Sequence, residues 1–273
     1  MVALFICMAC NGPQKEVYNE EEPEVVEVQD TLETDTLTLS DLLAEESIPT
    51  SMDELFDDFI FQFAENKKLQ RERIKFPLMV TETDGSVRQI EAEEWVHEYL
   101  FLHQDYYTVL FNNEEQVDAE KTAARNHVDV EWYNLQDKTM RIYHFIRRDG
   151  LWILDSKDRG NMAQTELSDF MLFYSRFVSD SVYQSKSISQ PLRLITTDPD
   201  NDFAYIEGSI DADQWQAFCP QMPSELITNI RYGQTYTNPR KMVLLKRGIA
   251  NGMLDIFTFM KRGRRWLLTT YEN

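Results

Sequence analysis

The chain repeats itself. A shift of 114 residues lays Pro77 on Pro191 and aligns QRERIKFPLMV (70–80) with QSKSISQPLRL (184–194). The same shift sets Phe56, Phe59 and Phe63 on Phe170, Phe173 and Phe177. Far downstream it sets Val130 on Leu244, Phe145 on Phe259, Trp152 on Trp266 and Leu154 on Leu268. Trp95 and Trp215 need a shift of 120, so the middle holds compensating insertions and deletions. A register that survives at both ends of a segment restricts the fold before any local propensity does, because both copies must accept one plan. The expected organisation is a signal-like segment at 1–10, an acidic tether at 11–50, a first copy at 51–159 and a second at 160–273.

Each copy reads as a helix followed by strands. Phe56, Phe59 and Phe63 are spaced i, i+3, i+7 and line one helical face. Ser51 and Glu54 have the spacing of a capping box, which predicts a helix starting at Ser51. Ile74, Phe76, Leu78 and Val80 then alternate with Lys75, Pro77 and Met79. That pattern suits a half-buried strand, with Pro77 and Pro191 at an edge or a bulge because proline has no N–H to donate. EAEEWVHEYLF around Trp95 predicts a short helix, and Tyr106–Phe111 a further strand. An antiparallel meander closes the copy, turning at LQDKT and at Asp149-Gly150. The second copy turns at Asn251-Gly252 and Arg262-Gly263, signals of tight hairpins. In one set of this meander Met140, Ile142, His144 and Ile146 face one way; Arg141, Tyr143, Phe145 and Arg147 face the other. The fold class is α+β: two tandem cone-like domains, each a helix packed on a curved antiparallel sheet.

The net charge of −20 is concentrated at the start, where residues 1–55 hold 14 acids against Lys15. An acidic chain argues against nucleic acid, whose phosphates reward Lys and Arg. MVALFICMAC matches the apolar core of a signal peptide rather than a spanning helix. Cys10 after Met8-Ala9 resembles the lipid-modified cysteine of a bacterial lipoprotein signal, although Cys7 stands where leucine is usual and the basic n-region is missing. The acid- and Thr-rich stretch that follows has too little apolar surface to offset its ordering entropy and reads as a tether. Membrane association is therefore expected through a lipid on Cys10 alone.

The aromatic helix, the Ile74–Leu78 strand with its proline, and the strand ends at Trp152 and Trp266 resemble the nuclear transport factor 2-like superfamily. More closely, with Met8-Ala9-Cys10, nearly the whole chain resembles an uncharacterised lipoprotein family of Gram-negative gut bacteria with that fold. The resemblance implies an envelope location, periplasmic or on the outer membrane. It carries over no catalytic motif, because that family has none established.

The residues name no reaction. HExxH, a Walker loop, GxGxxG and GxSxG are all missing. No cofactor or metal is expected. Cys219 is alone in the globular part and reads as a small buried hydrophobe. His97 and His103 are six residues apart, unsuited to one helical face. His144 shares its face with Ile142 and Ile146, which points it into the concave side of the first sheet. With Tyr143 and Trp132 it forms a candidate pocket, against the alternative that all three are core packing. Enzymes of the resembling superfamily use His, Asp and Tyr inside that concavity. Thr258 occupies the equivalent place in the second copy, so any such chemistry belongs to one half. Arg247, Arg262, Arg264 and Arg265 crowd the last hairpins and read either as a solvated edge or as a basic docking rim. The expectation is a non-catalytic, lipid-anchored protein whose halves form an intramolecular pseudo-dimer and bind a small ligand or an envelope protein. The alternatives are a lyase or isomerase using the first concavity, and a purely structural pseudo-dimer.

Overall fold

The two phenylalanine-rich segments fold as helices, and each sits at the start of the same series of elements. In the computed structural model, residues 50–101, 104–113 and 125–273 are described. Cys10, the tether at 11–50 apart from its last residue, and His103 lie outside them. Helix α1 spans Phe56–Glu65 and α2 Lys67–Glu72; their counterparts are α3, Ser168–Ser179, and α4, Ser181–Lys186. A single helical turn, α5, covers Trp215–Phe218.

The start of α1 departs from the capping-box expectation. Thr50–Asp53 is a 3-10 turn and α1 begins only at Phe56, with no side-chain cap. Asp53 is instead buried, pairs with Arg73 at 3.0 Å and accepts a hydrogen bond from the Trp152 amide at 2.9 Å. A buried carboxylate with these partners ties the helix entry to the last strand of its half. The segment before Trp95 is likewise only a 3-10 turn, Ala92–Glu94.

The first half contributes strands β1 (Ile74–Thr81), β2 (Val87–Ile90), β3 (Tyr106–Phe111), β4 (His127–Asn134), β5 (Thr139–Arg148) and β6 (Leu151–Asn161). The second contributes β7 (Ile188–Asp198), β8 (Asn201–Ile210), β9 (Leu226–Arg231), β10 (Lys241–Gly248), β11 (Leu254–Arg262) and β12 (Arg265–Glu272). Strand β6 runs past the boundary expected at 159. All twelve strands join one mixed sheet in the order β2-β1-β6-β5-β4-β9-β3-β10-β11-β12-β7-β8. The third strands have changed places: β3 pairs with β10 of the second half, and β9 with β4 of the first. The halves therefore share a sheet and exchange a strand, rather than docking as two closed bodies. The described residues belong to one compact unit.

Strands β3 and β9 meet in parallel at the single pair Thr108–Asn229. Side chains complete this seam. Asn229 Oδ1 accepts from the Leu110 amide at 2.8 Å, and Thr108 Oγ1 donates to the Thr228 carbonyl at 3.1 Å.

Alternate residues along the central strands feed two different cores. Val109, Phe111, Val243 and Leu245 pack with α1, whereas Leu110, Met242 and Leu244 pack with α3. The helices thus lie on opposite faces of the sheet, as period-two alternation requires. Equivalent aromatic contacts fill each core. Phe56–Trp152 ring centroids lie 5.0 Å apart and Phe170–Trp266 5.4 Å; Phe63–Phe145 lie 5.2 Å apart and Phe177–Phe259 5.5 Å.

Strand β1 is not an edge strand, since β2 lies outside it. Pro77 falls instead in an irregularity of the β1–β6 ladder between Ile74 and Met79, and Pro191 opposite the corresponding break in β7–β12. Each proline thus sits where no ladder amide is required. The turns are as varied as their sequences. Asp149 (φ 51°) and Gly150 (φ 84°) both adopt the left-handed region that a two-residue type I′ turn needs. At the β10–β11 turn the left-handed residues are Ala250 and Gly252, while Asn251 Oδ1 accepts from the Met253 amide.

Candidate functional site

Strand β4 reads HVDVEWYN, and its alternation sorts side chains by chemistry. Val128 and Val130 enter the α1 core, with Trp132 packed against it. His127, Asp129, Glu131 and Tyr133 take the opposite face. In β5, Tyr143 and Phe145 are fully buried in the α1 core, so Ile142 and His144 share the other face with Asp129, which lies directly opposite His144. This reverses the sequence expectation for His144. Both alternating sets of β5 carry apolar side chains, and the aromatic face of α1 selects the one that contains Phe145.

The expected trio is therefore split. Trp132 and Tyr143 are together on the α1 side, their rings 5.5 Å apart. Trp132 Nε1 donates to the Leu100 carbonyl at 3.0 Å, and the ring borders a surface pocket of about 330 Å³ with Arg141 and Glu225. Tyr143 faces Lys157 Nζ at 4.5 Å, and that buried amine meets both oxygens of Glu98 at 2.6 Å. Burial pulls the Lys157 pKa down, against the carboxylate's pull upward.

His144 is held between two carboxylates on the other face. Its Nδ1 lies 2.7 Å from Asp129 Oδ1 and its Nε2 3.0 Å from Asp158 Oδ2. Partial burial opposes a charge on the ring, but the hydrogen bonds and charges of Asp129 and Asp158 outweigh it and push the pKa up to about 9. At neutral pH the ring is an imidazolium that donates from both nitrogens. His127 Nε2 reaches the same Asp129 oxygen at 3.2 Å.

A second polar group adjoins this one. Glu131 is buried and accepts from Tyr133 Oη at 3.0 Å and Asn229 Nδ2 at 2.8 Å. Burial raises its pKa; Arg231, Asn229 and Tyr133 oppose that. Arg231 lies 3.7 Å from Glu131 and 2.6 Å from Glu166. Glu131, Glu166 and Arg231 border a cavity of about 250 Å³ with Ile142, Tyr133 and Tyr236. It is too small for a large ligand but adequate for a few heavy atoms.

The basic rim is assembled only at one end. Arg262 and Arg265 pair across the β11–β12 turn that holds Arg264, whereas Arg247 pairs with Leu254 at the other end of β11. Eight residues of extended strand separate the two places by about 27 Å. Burial pushes the Cys219 thiol up to about 11, which makes it a poor nucleophile.

Sequence reasoning missed His127, Asp129, Glu131, Asp158 and Arg231. The signal was present in HVDVE, where every second residue is polar. Only pairing with β5, β6 and β9 joins those residues to their partners. The second half lacks the group: the shift of 114 puts Lys241, Val243, Thr258 and Glu272 at the places of His127, Asp129, His144 and Asp158.

Comparison with curated proteins gave no match. Among solved structures, the chain is similar to a crystal structure described as an NTF2-like protein from Bacteroides fragilis NCTC 9343. The two are 37% identical, with a TM-score of 0.77, over 83% of this chain and 98% of that one. Residues 35–273 match the family model of a domain of unknown function, DUF4348. With helices on a mixed sheet, an NTF2-like relative and a match over most of its length, the chain belongs to the DUF4348 family and has an NTF2-like fold.

Proposed function

We propose that this protein is a non-catalytic, lipid-anchored envelope protein that binds a small polar ligand or a protein partner on the outer face of its first half. One observation carries the reading. The side of the sheet beneath α1 is filled by Phe56, Phe59, Phe63, Phe145 and Trp152, all buried, whereas the opposite face carries a cavity that sets Glu131, Glu166 and Arg231 among apolar side chains. Ligand sites are concave and present a few placed polar groups, and this cavity has both. Against a general-base role for His144, an imidazolium bonded through both nitrogens has no lone pair with which to take a proton.

Filling the cavity tests the binding part. Ile142→Trp should abolish the thermal stabilisation that a panel of small polar compounds gives the parent protein; equal stabilisation of both proteins would place the ligand elsewhere. The anchor is tested separately. Cys10→Ala should move the protein from the membrane to the soluble fraction, and a variant that still sediments with membranes would rule out the lipid.

A further inference from the structure

We infer that His127, Asp129 and His144 form a binding site for a divalent first-row transition-metal cation. His127 Nε2, Asp129 Oδ1 and His144 Nδ1 all lie within 4.8 Å of one another. The two distances to the carboxylate oxygen are 3.2 Å and 2.7 Å. Ligands bound at about 2.1 Å in tetrahedral or octahedral geometry stand roughly 3.0–3.4 Å apart; the two sides to Asp129 bracket that spacing, and the imidazole nitrogens, within 4.8 Å of each other, would adjust around an ion.

The backbone has already arranged these groups. His127 and Asp129 are two residues apart on one strand face, and His144 is directly opposite Asp129 on the next strand. Three neighbouring positions on a paired sheet are held more closely than loop residues would be. The two imidazoles are nearly parallel, 23° between planes and 6.1 Å between centroids, and both aim at the same oxygen.

A second, independent observation points the same way. His144 Nε2, the nitrogen turned away from the triangle, is bonded to Asp158. A carboxylate on the remote nitrogen is the usual support of a metal-bound histidine, fixing its tautomer and raising its basicity. The ion takes the place of the proton between His144 Nδ1 and Asp129 Oδ1. A doubly charged cation would balance Asp129 and Asp158, and Arg231 on the neighbouring strand is already engaged by Glu131 and Glu166.

Two imidazoles and one carboxylate select the class. Zinc, cobalt, nickel, copper and ferrous iron favour such nitrogen–oxygen sets, whereas calcium and magnesium prefer oxygen alone. The His127 side chain is 52% exposed and that of Asp129 13%. The site thus opens on the His127 side, where water or a ligand atom could complete the coordination. The inference goes beyond the binding reading above and does not require the cavity at Arg231 to be filled.

Cobalt(II) is the probe. Tag-free full-length protein, stripped with chelator, should develop visible ligand-field absorption that saturates at one ion per chain and is displaced by zinc. His127→Ala and Asp129→Ala should abolish the signal. Asp158→Asn should weaken affinity about 10- to 100-fold at unchanged stoichiometry. His127 is the most exposed of the three, so its variant keeps the test decisive should changes at His144 impair folding. Absence of absorption at millimolar cobalt, or absorption that survives both His127→Ala and Asp129→Ala, would overturn the assignment. The second outcome would point to the cysteines instead.

Discussion

Replacing His144 with glutamine should change how stability depends on pH, and the size of the effect follows from what surrounds the ring. In the unfolded chain the imidazole titrates near 6.5; between Asp129 and Asp158 it titrates at about 9. At about 1.4 kcal/mol per pKa unit, that difference is on the order of 3 kcal/mol of stability. The sign is fixed because the folded protein holds the proton more tightly. The contribution is complete below pH 6.5, shrinks as pH rises, and is gone above about 9. Glutamine fills a similar volume but cannot become a cation between two carboxylates. Urea unfolding of parent and His144→Gln, both in chelator to keep metal away, isolates the effect. Other titrations occur in both proteins and cancel in the difference. The stability gap between the two should be largest below pH 6.5 and close by about 3 kcal/mol as pH passes 9. A gap that stays constant across that window would mean that His144 is neutral when folded, and the clamped-imidazolium reasoning would fail.

The exchanged strands predict how the halves behave when separated. Chains covering 44–164 and 165–273 should each fail to give a folded monomer, because β4 and β10 would each lose the neighbour supplied by the other half; mixed, they should form a one-to-one complex. A stable monomeric first half, seen by size exclusion with native circular dichroism, would contradict the exchange. Asn229→Leu should cost about 2–4 kcal/mol in denaturant unfolding, since it leaves the Leu110 amide and Glu131 without their shared partner in a buried seam. A loss under roughly 0.5 kcal/mol, the range of ordinary surface changes, would show that the seam does not need this side chain.

Much of the fold was legible because its signals are local. Three phenylalanines at helical spacing marked α1 and α3, and Asp149-Gly150 marked a tight hairpin. The shift of 114 pairs residues that make equivalent contacts, such as Phe63 with Phe145 and Phe177 with Phe259. The capping-box spacing at Ser51 misled, because Asp53 is drawn into a buried pair with Arg73 and Trp152, partners distant in sequence. The basic rim misled in part for another reason. A hairpin turn gathers Arg262, Arg264 and Arg265, but Arg247 lies at the opposite end of the β10–β11 pair.

Alternation by itself determined that His144 and Phe145 occupy opposite faces of β5, and that His127, Asp129 and Glu131 share one. It did not determine which face would be core, since an alternating strand is equally regular either way up. That choice belonged to α1, whose aromatic side chains pack on Phe145 and leave His144 outside. Nor could local pattern announce that β3 and β9 would change places, because strand partners are set by contacts more than a hundred residues apart. Tertiary pairing therefore decided the site: it set Asp129 against His144, Asp158 beyond it and Arg231 alongside, and made one polar cluster from residues that four separate strands supply.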